Sequence, residues 1–318
     1  MTAAFDDDIR RSRFRLRNPY AHLDGDGAFS ALAPATESDV HKDRLSLENP
    51  HAHVDEDGSY RAWKEIRVPS LSPKPLISRD ALLQGKARGS GFSRQEIEAI
   101  VRGLHVEMWR RRQELWSDRS VSPIEIADPI VALQGIGYSV SAFEALGQHS
   151  ESGETFEVAG IINNPESEVQ ISLAFAPAVR SFTLAHELGH ALLHNAAVLH
   201  RDRAVDSTVS GKKRDKIESE ADRFASSFMM PEKLVRAEFE RRFHSTPFEL
   251  SQASAFALTG KKMNDLQSRI RSTGDLARFL ASADQYNGGY FHSLAEQFGV
   301  SIEAMANRLR DLGLVKQR

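Results

Sequence analysis

Arg180-Ser181-Phe182-Thr183-Leu184-Ala185-His186-Glu187-Leu188-Gly189-His190-Ala191-Leu192-Leu193-His194 is an apolar run with a helical period and H-E-x-x-H at its centre. Positions i and i+4 of a helix differ by about 40° in azimuth and about 6 Å in rise, so His186 and His190 leave the same face. Two neutral imidazoles so placed can hold one Zn²⁺ at about 2.0–2.1 Å each. Glu187 lies about 100° round from His186, too far to join the pair comfortably but within reach of a water at the metal. That makes it the candidate general base. The alternative is a surface helix that happens to carry two histidines. The surrounding Ala, Leu and Phe speak against it, because a buried Glu and two buried His need partners.

A third ligand is sought on a second helix, expected from about Ile217 to Met230 and stopped by Pro231. With Glu218 at zero, Asp222 falls at about +40°, Ala225 at about −20° and Ala221 at about −60°. Both acids therefore border the apolar face, whereas Glu220 and Arg223 are expected to point away. A catalytic zinc site commonly takes two His, one Glu and a water, so Glu218 is the expected ligand. Asp222, one turn on, can accept the second ring N–H of a ligating histidine and fix its tautomer. His194 sits about 12 Å along the helix from His186, out of reach of the same ion, and is expected to pack or to line the cleft.

The chain has 318 residues, of which 41% are hydrophobic and 27% charged, an ordinary globular composition with room for two or three domains. A formal net charge of −3 argues against a strongly basic nucleic-acid coat. No apolar run approaches a membrane span, and the start of the chain, with Asp6-Asp7-Asp8, is acidic where a secretion signal would be basic and then apolar. A cytoplasmic location is expected. There is no cysteine, so any metal must be held by His and carboxylate.

Residues 1–68 are polar and contain an internal repeat: Asn18 to Phe29 recurs as Asn49 to Tyr60, in the pattern N-P-x-A-H-(L/V)-D-x-D-G-(A/S)-(F/Y). Two surface turns, a duplicated hairpin or docking peptide, and part of a calcium loop are the readings it allows. Residues 69–92, with Pro69, Pro73, Pro75, Gly85, Gly89 and Gly91, read as a linker. A helix follows, capped by Ser93 with Glu96 three residues on. Its run Arg110-Arg111-Arg112 reads as a solvated side, with nucleic-acid contact as the alternative. A second helix is expected from Pro123 to Leu133, then strands at Tyr138 to Val140, Val158 to Ile162 and Val169 to Phe175. Ile171-Ser172-Leu173 is the candidate sheet edge for an extended substrate. Two helices, a small sheet and a metal helix make an α+β domain over 93–240. His200 to Lys216 reads as a surface loop.

Residues 241–318 read as all helix: Pro247 to Leu258, Lys261 to Ile270 and Gly274 to Ala283, then a helix-turn-helix-like end from Leu294 to Leu309. There Ala295 packs inward, Gly299 permits the turn and Ser301 caps the second helix. That helix opens with Ile302, Glu303 and Met305, acidic and apolar where base readout wants basic and polar residues, which favours packing or protein docking over DNA.

The stretch Phe182 to His194, together with Glu218-Ser219-Glu220-Ala221-Asp222-Arg223-Phe224-Ala225 and Met229-Met230-Pro231, resembles the ImmA/IrrE family of metallopeptidases over roughly residues 95–240. That family is similar to gluzincins, whose Glu-x-x-x-Asp pattern matches Glu218 and Asp222. The resemblance implies a zincin-like fold, a zinc metalloendopeptidase activity and, as partner, a helix-turn-helix repressor as protein substrate. Mn²⁺ and Fe²⁺ accept the same ligands. The alternative is a DNA-binding or protein-binding regulator in which the peptidase fold acts as a sensor, with direct DNA binding the lesser expectation. Tyr286, Tyr290, His244 and His292 are candidates for stabilising an oxyanion.

Overall fold

The computed structural model describes residues 75–117, 119–151, 154–195, 200–203, 216–259, 266 and 269–316. The duplicated N-terminal motif lies outside them. Helix α1 (Arg79–Leu83) is capped by Ser78, whose hydroxyl accepts from Ala81 N. Helix α2 (Arg94–Arg110) opens with a Ser93–Glu96 capping box and buries Ile97, Ile100, Val101, Leu104 and Met108 along one stripe. After α3 (Arg112–Leu115), helix α4 (Pro129–Gly135) begins at Pro129 rather than the expected Pro123. Asp128 sets that start by accepting from Ile130 N at 3.0 Å and Val131 N at 3.2 Å, with proline in the first turn.

Four strands follow: β1 (Ser139–Phe143), β2 (Gln148–Glu151), β3 (Glu154–Asn163) and β4 (Glu168–Ser172). Helix α5 (Pro177–Leu193), strand β5 (His200–Arg203), helix α6 (Lys216–Met229) and helix α7 (Glu232–Phe243) come next. The sheet runs β1-β4-β3-β2, with β5 also paired to β3. Within this sheet, among the described residues, only β1 and β4 pair in parallel. This places Ile171 inside the sheet, opposite Ala142 of β1 on one side and Gly160 of β3 on the other. The substrate edge expected at Ile171-Ser172-Leu173 therefore does not hold at Ile171, which is paired on both flanks. Strand β5 likewise replaces the start of the expected surface loop, held by pairing with β3 that its polar sequence does not announce.

The remainder comprises β6 (Phe248–Glu249), α8 (Gln252–Thr259), α9 (Thr273–Ser282), β7 (Gln285–Tyr286), β8 (Gly289–Tyr290), α10 (Leu294–Gln297), α11 (Ile302–Asp311) and β9 (Val315–Lys316). The region expected to be all helix thus carries two small strand pairs, β6–β9 and β7–β8. Gly299 makes the α10–α11 turn at φ +63°, and Ser301 accepts from Ala304 N at 3.1 Å. The mixed architecture is α+β. The expected boundary at 240/241 falls inside α7, and one hydrophobic core of described residues runs from Ile77 to Val315. The described part of the expected linker, from Pro75, buries Ile77, Leu82, Leu83 and Phe92 in that core. Gly85 and Gly89 stand in turns at positive φ, but these apolar residues around them pack.

Candidate metal centre

Helix α5 is buried on nearly every side from Thr183 to Leu193, because β3 and β4 cover one face and α6 the other. Gly189 permits the close crossing of α5 and α6. A Cβ there would come within 3.1 Å of Phe224 Cβ and 3.2 Å of Ala221 Cα.

At this crossing His186 Nε2 and His190 Nε2 approach to 2.9 Å. Glu218 brings Oε2 to 3.3 Å from His186 Nε2 and Oε1 to 3.6 Å from His190 Nε2. One ligand atom from each of the three lies within 4.8 Å of the others. Ligands at about 2.0–2.1 Å from a tetrahedral ion stand about 3.3 Å apart, so the observed spacings fit a single ion. The donor set fits as well: two imidazole lone pairs and a carboxylate are all acceptors, and a divalent cation can satisfy them together. Burial alone would raise the Glu218 carboxyl, but hydrogen bonds with His186 and His190, and their charge, outweigh it. The carboxyl therefore ionises well below the usual carboxylate range.

Behind the two rings the partners differ. Asp222 Oδ1 lies 3.0 Å from His186 Nδ1. His190 Nδ1 instead lies 3.0 Å from His194 Nδ1, and His194 Nε2 lies 3.3 Å from Glu220 Oε2. His194 is the cap residue of α5, where the backbone leaves the helical path and turns the ring back toward His190. Burial, reinforced by His190, pushes the His194 imidazole's pKa down against the pull of Glu220. Glu220 was expected to point away from the apolar face. It is 5% exposed and accepts from Phe92 N at 3.1 Å. The buried face of α6 is centred near Ala221, Phe224 and Phe228 and is wider than the sequence suggested. At about 100° per residue, Glu218 with Asp222 borders one side of that face and Glu220 the other.

Glu187 is fully buried beside the cluster. Its carboxylate rests against β3 where Gly160 leaves room: a Cβ at Gly160 would stand 2.7 Å from Glu187 Oε1 and 2.7 Å from Thr183 Cγ2. The β3–β5 register shifts between Val158 and Gly160, at the same place.

Tyr286 belongs to an aromatic cluster with Phe243 and Phe248, at ring separations of 5.6 and 6.2 Å, and Tyr290 is 81% exposed. The His244 ring stands 6.4 Å from Tyr286, while the carbonyl of His292 accepts from Arg242. The arginine run of α2 is engaged locally. Arg110 pairs with Glu107 at 2.8 Å, Arg111 lies near Glu107 and Glu114, and Arg112 donates to Trp109 O. A cleft of about 280 Å³ joins α5, α6 and α11, lined in part by Phe182, Asp222, Arg223, Arg308 and Asp311. Among the described residues, no helix is long and apolar enough to cross a membrane.

Comparison with curated proteins gives no match. Residues 143–253, which include β3, β4, α5, α6 and α7, match the peptidase M78 family, described as the IrrE N-terminal-like domain. Over that span the family match and the His186–His190–Glu218 cluster agree: the segment that carries the cluster is similar to the IrrE N-terminal-like domain of the peptidase M78 family.

Proposed function

We propose that the chain is a zinc-dependent endopeptidase of narrow specificity whose substrate is a helix-turn-helix transcriptional repressor, which also sets its compartment as the cytoplasm. The observation that carries the chemistry is the convergence of His186, His190 and Glu218 beside the buried Glu187. His186, His190 and Glu218 would hold the metal, and Asp222 would fix the His186 ring through Nδ1. Zinc, when bound, supplies Lewis acidity, polarising a carbonyl and making water a competent nucleophile near neutral pH.

Glu187 takes one proton from the attacking water as the water oxygen bonds to the scissile carbonyl carbon. It delivers that proton to the amide nitrogen as the C–N bond breaks, leaving a new carboxylate and a new amine. Gly160 leaves the room on β3 in which the Glu187 carboxylate sits for both transfers.

The repressor as partner rests on the resemblance to the ImmA/IrrE family, which the family match supports. The cleft that α11 shares with Asp222, the residue behind His186, brings the C-terminal part close enough to α5 and α6 to take part in docking, which supports narrow specificity. A DNA-reading role for α11 is weaker, because Glu303 in its first turn is ion-paired to Arg278 at 2.5 Å and Ile302 stands exposed. The test is cleavage of a small helix-turn-helix protein encoded beside this chain, with casein as control. Glu187→Gln should keep the metal and lose cleavage by at least about 10²–10⁴-fold, while Glu218→Ala should lose the metal. Equal metal loss in both variants would refute the division of roles, and degradation of casein by the wild type alone would refute narrow specificity.

A further inference from the structure

His194 and Glu220 have no part in the chemistry just described, yet both are nearly inaccessible, at 3% and 5% exposure. Two buried polar side chains, one of them in contact with a candidate ligand, need an account. They form a line: His190 Nδ1 to His194 Nδ1 at 3.0 Å, His194 Nε2 to Glu220 Oε2 at 3.3 Å, and Phe92 N to Glu220 Oε1 at 3.1 Å.

The directions of these bonds follow from the ends. If His190 offers its Nε2 lone pair to a metal, its proton sits on Nδ1 and must be donated. His194 Nδ1 then accepts, which puts the His194 proton on Nε2, where the Glu220 carboxylate accepts it. The other Glu220 oxygen accepts from Phe92 N–H, so each donor along the line meets an acceptor. With the opposite tautomer of His194, two N–H groups would face each other across 3.0 Å. Glu220 is therefore what forces His194 to be an acceptor toward His190.

We infer that His194 and Glu220 are positioning residues that hold His190 in its metal-binding tautomer and orientation, through an imidazole relay anchored on the backbone of Phe92. The inference rests on the reading of His190 as a metal ligand. The two ligating rings are then oriented by different means: His186 by a carboxylate one turn further along α6 from Glu218, and His190 by a neutral ring that passes the carboxylate's influence on. The relay also accounts for the packing of residues 89–92. Gly89 N donates to Leu193 O at 2.7 Å, pinning the end of α5 from which His194 emerges. Gly91, at φ +80°, brings the chain past Lys216 and Glu220, where a Cβ would lie 2.6 Å from Lys216 Nζ. The segment that precedes α2 thus supports a metal ligand through Glu220, across 128 positions of sequence from Phe92.

The experiment uses the full chain, with Zn²⁺ affinity measured by chelator competition and Co²⁺ substitution followed by its visible absorption. Apo melting curves confirm that each variant folds. His194→Phe removes the acceptor and should weaken Zn²⁺ binding about 10–100-fold and alter the Co²⁺ bands, as loss of an outer partner does. His194→Asn can place its amide oxygen near the original Nδ1 position and should recover most of the affinity. Glu220→Gln can accept from only one of its two donors and should shift affinity in the same direction by less. Wild-type affinity and an unchanged Co²⁺ spectrum in His194→Phe would overturn the inference while leaving the metal site standing. Equal loss in His194→Phe and His194→Asn would also overturn it, since the side chain would then act by shape. Failure of the wild type to take up either metal would overturn both the inference and the metal reading beneath it.

Discussion

Around α5 and α6 the polar atoms of the cluster are aimed at one place: two buried imidazole nitrogens and the half-buried Glu218 carboxylate, with the buried Glu187 carboxylate beside them. Between α7 and α11 the buried polar atoms are donors aimed at carbonyls. Arg242, 3% exposed, donates to His292 O at 3.1 Å and to Glu238 O at 3.0 Å, and it pairs with the Glu238 carboxylate and with Gln297. Arg308 donates to Met230 O at 3.0 Å. The second arrangement is complete as it stands, because guanidinium protons meet backbone oxygens that would otherwise be buried unmet. The first brings together ligand atoms that a single cation could satisfy at once. Buried charge satisfied by backbone marks structure, and buried charge converging on a point marks a binding site.

The largest effect that sharpens this contrast is stabilisation by metal. A ligand that binds only the folded state adds about 4 kcal/mol at roughly a thousand times its dissociation constant. Zinc added to chelator-stripped protein should raise the melting temperature accordingly, and Glu218→Ala should flatten the response. A wild-type melting curve indifferent to zinc would break the contrast, because the acceptors would then be satisfied without a cation.

His105 of α2 provides an intermediate case, a buried imidazole against an aromatic ring. It stacks on Phe228 of α6 at 4.9 Å, and burial pushes its pKa down to about 4, against a hydrogen bond to the Phe228 backbone. The folded pKa lies below the unfolded value of about 6.5, so the unfolded chain takes up the proton first as pH falls. The contribution to stability is therefore full above about pH 6.5 and is lost progressively toward about pH 4, by at most about 3 kcal/mol. Urea denaturation at pH 7 and near pH 4.5 should show this slope in the wild type, and a reduced one in His105→Phe. An identical slope in the variant would mean that His105 is solvated enough to carry its charge in the folded state.

The two sides of the molecule also differ in how far their residues could be read from sequence. His186, His190, Glu218 and Asp222 were legible because helical period alone puts each near its neighbour. Glu220 was not, because its buried partner is the backbone of Phe92 and its cap-side partner His194 leaves the helix. Residues 75–92 were misread for a related reason: proline and glycine are local signals, whereas the burial of Ile77, Leu82 and Leu83 is decided by elements far along the chain. The α+β class followed from the order of periodic segments. The interior place of β4 did not, since strand order is set by pairing with β1 and β3 and not by the strand's own residues. In the C-terminal part the caps at Ser293 and Ser301 and the Gly299 turn were readable. The carbonyl partners of Arg242 and Arg308 carry no sequence signal at all.

Arg308 gives the smallest effect and tests the contrast from the structural side. Its side chain lies between α11 and the end of α6, 3% exposed, with Nε on Met230 O. Burial lowers its pKa, partly offset by the more distant carboxylates of Glu98, Asp311 and Glu232. Arg308→Met keeps most of the apolar stem and removes the guanidinium, so two terms oppose. Relief of the buried charge favours the variant, while Met230 O loses a charged donor worth about 1.5–3 kcal/mol. The guanidinium already has compensating acids around it, so the lost hydrogen bond should win, at about 1–2 kcal/mol of destabilisation. Urea denaturation of the chelator-stripped protein reads that cost directly. Zinc affinity should remain unchanged, although Arg308 lines the same cleft as Asp222, because its hydrogen bond runs to the backbone and not toward the ligands. Altered zinc affinity with no loss of stability would reverse the assignment and make Arg308 an electrostatic part of the metal side.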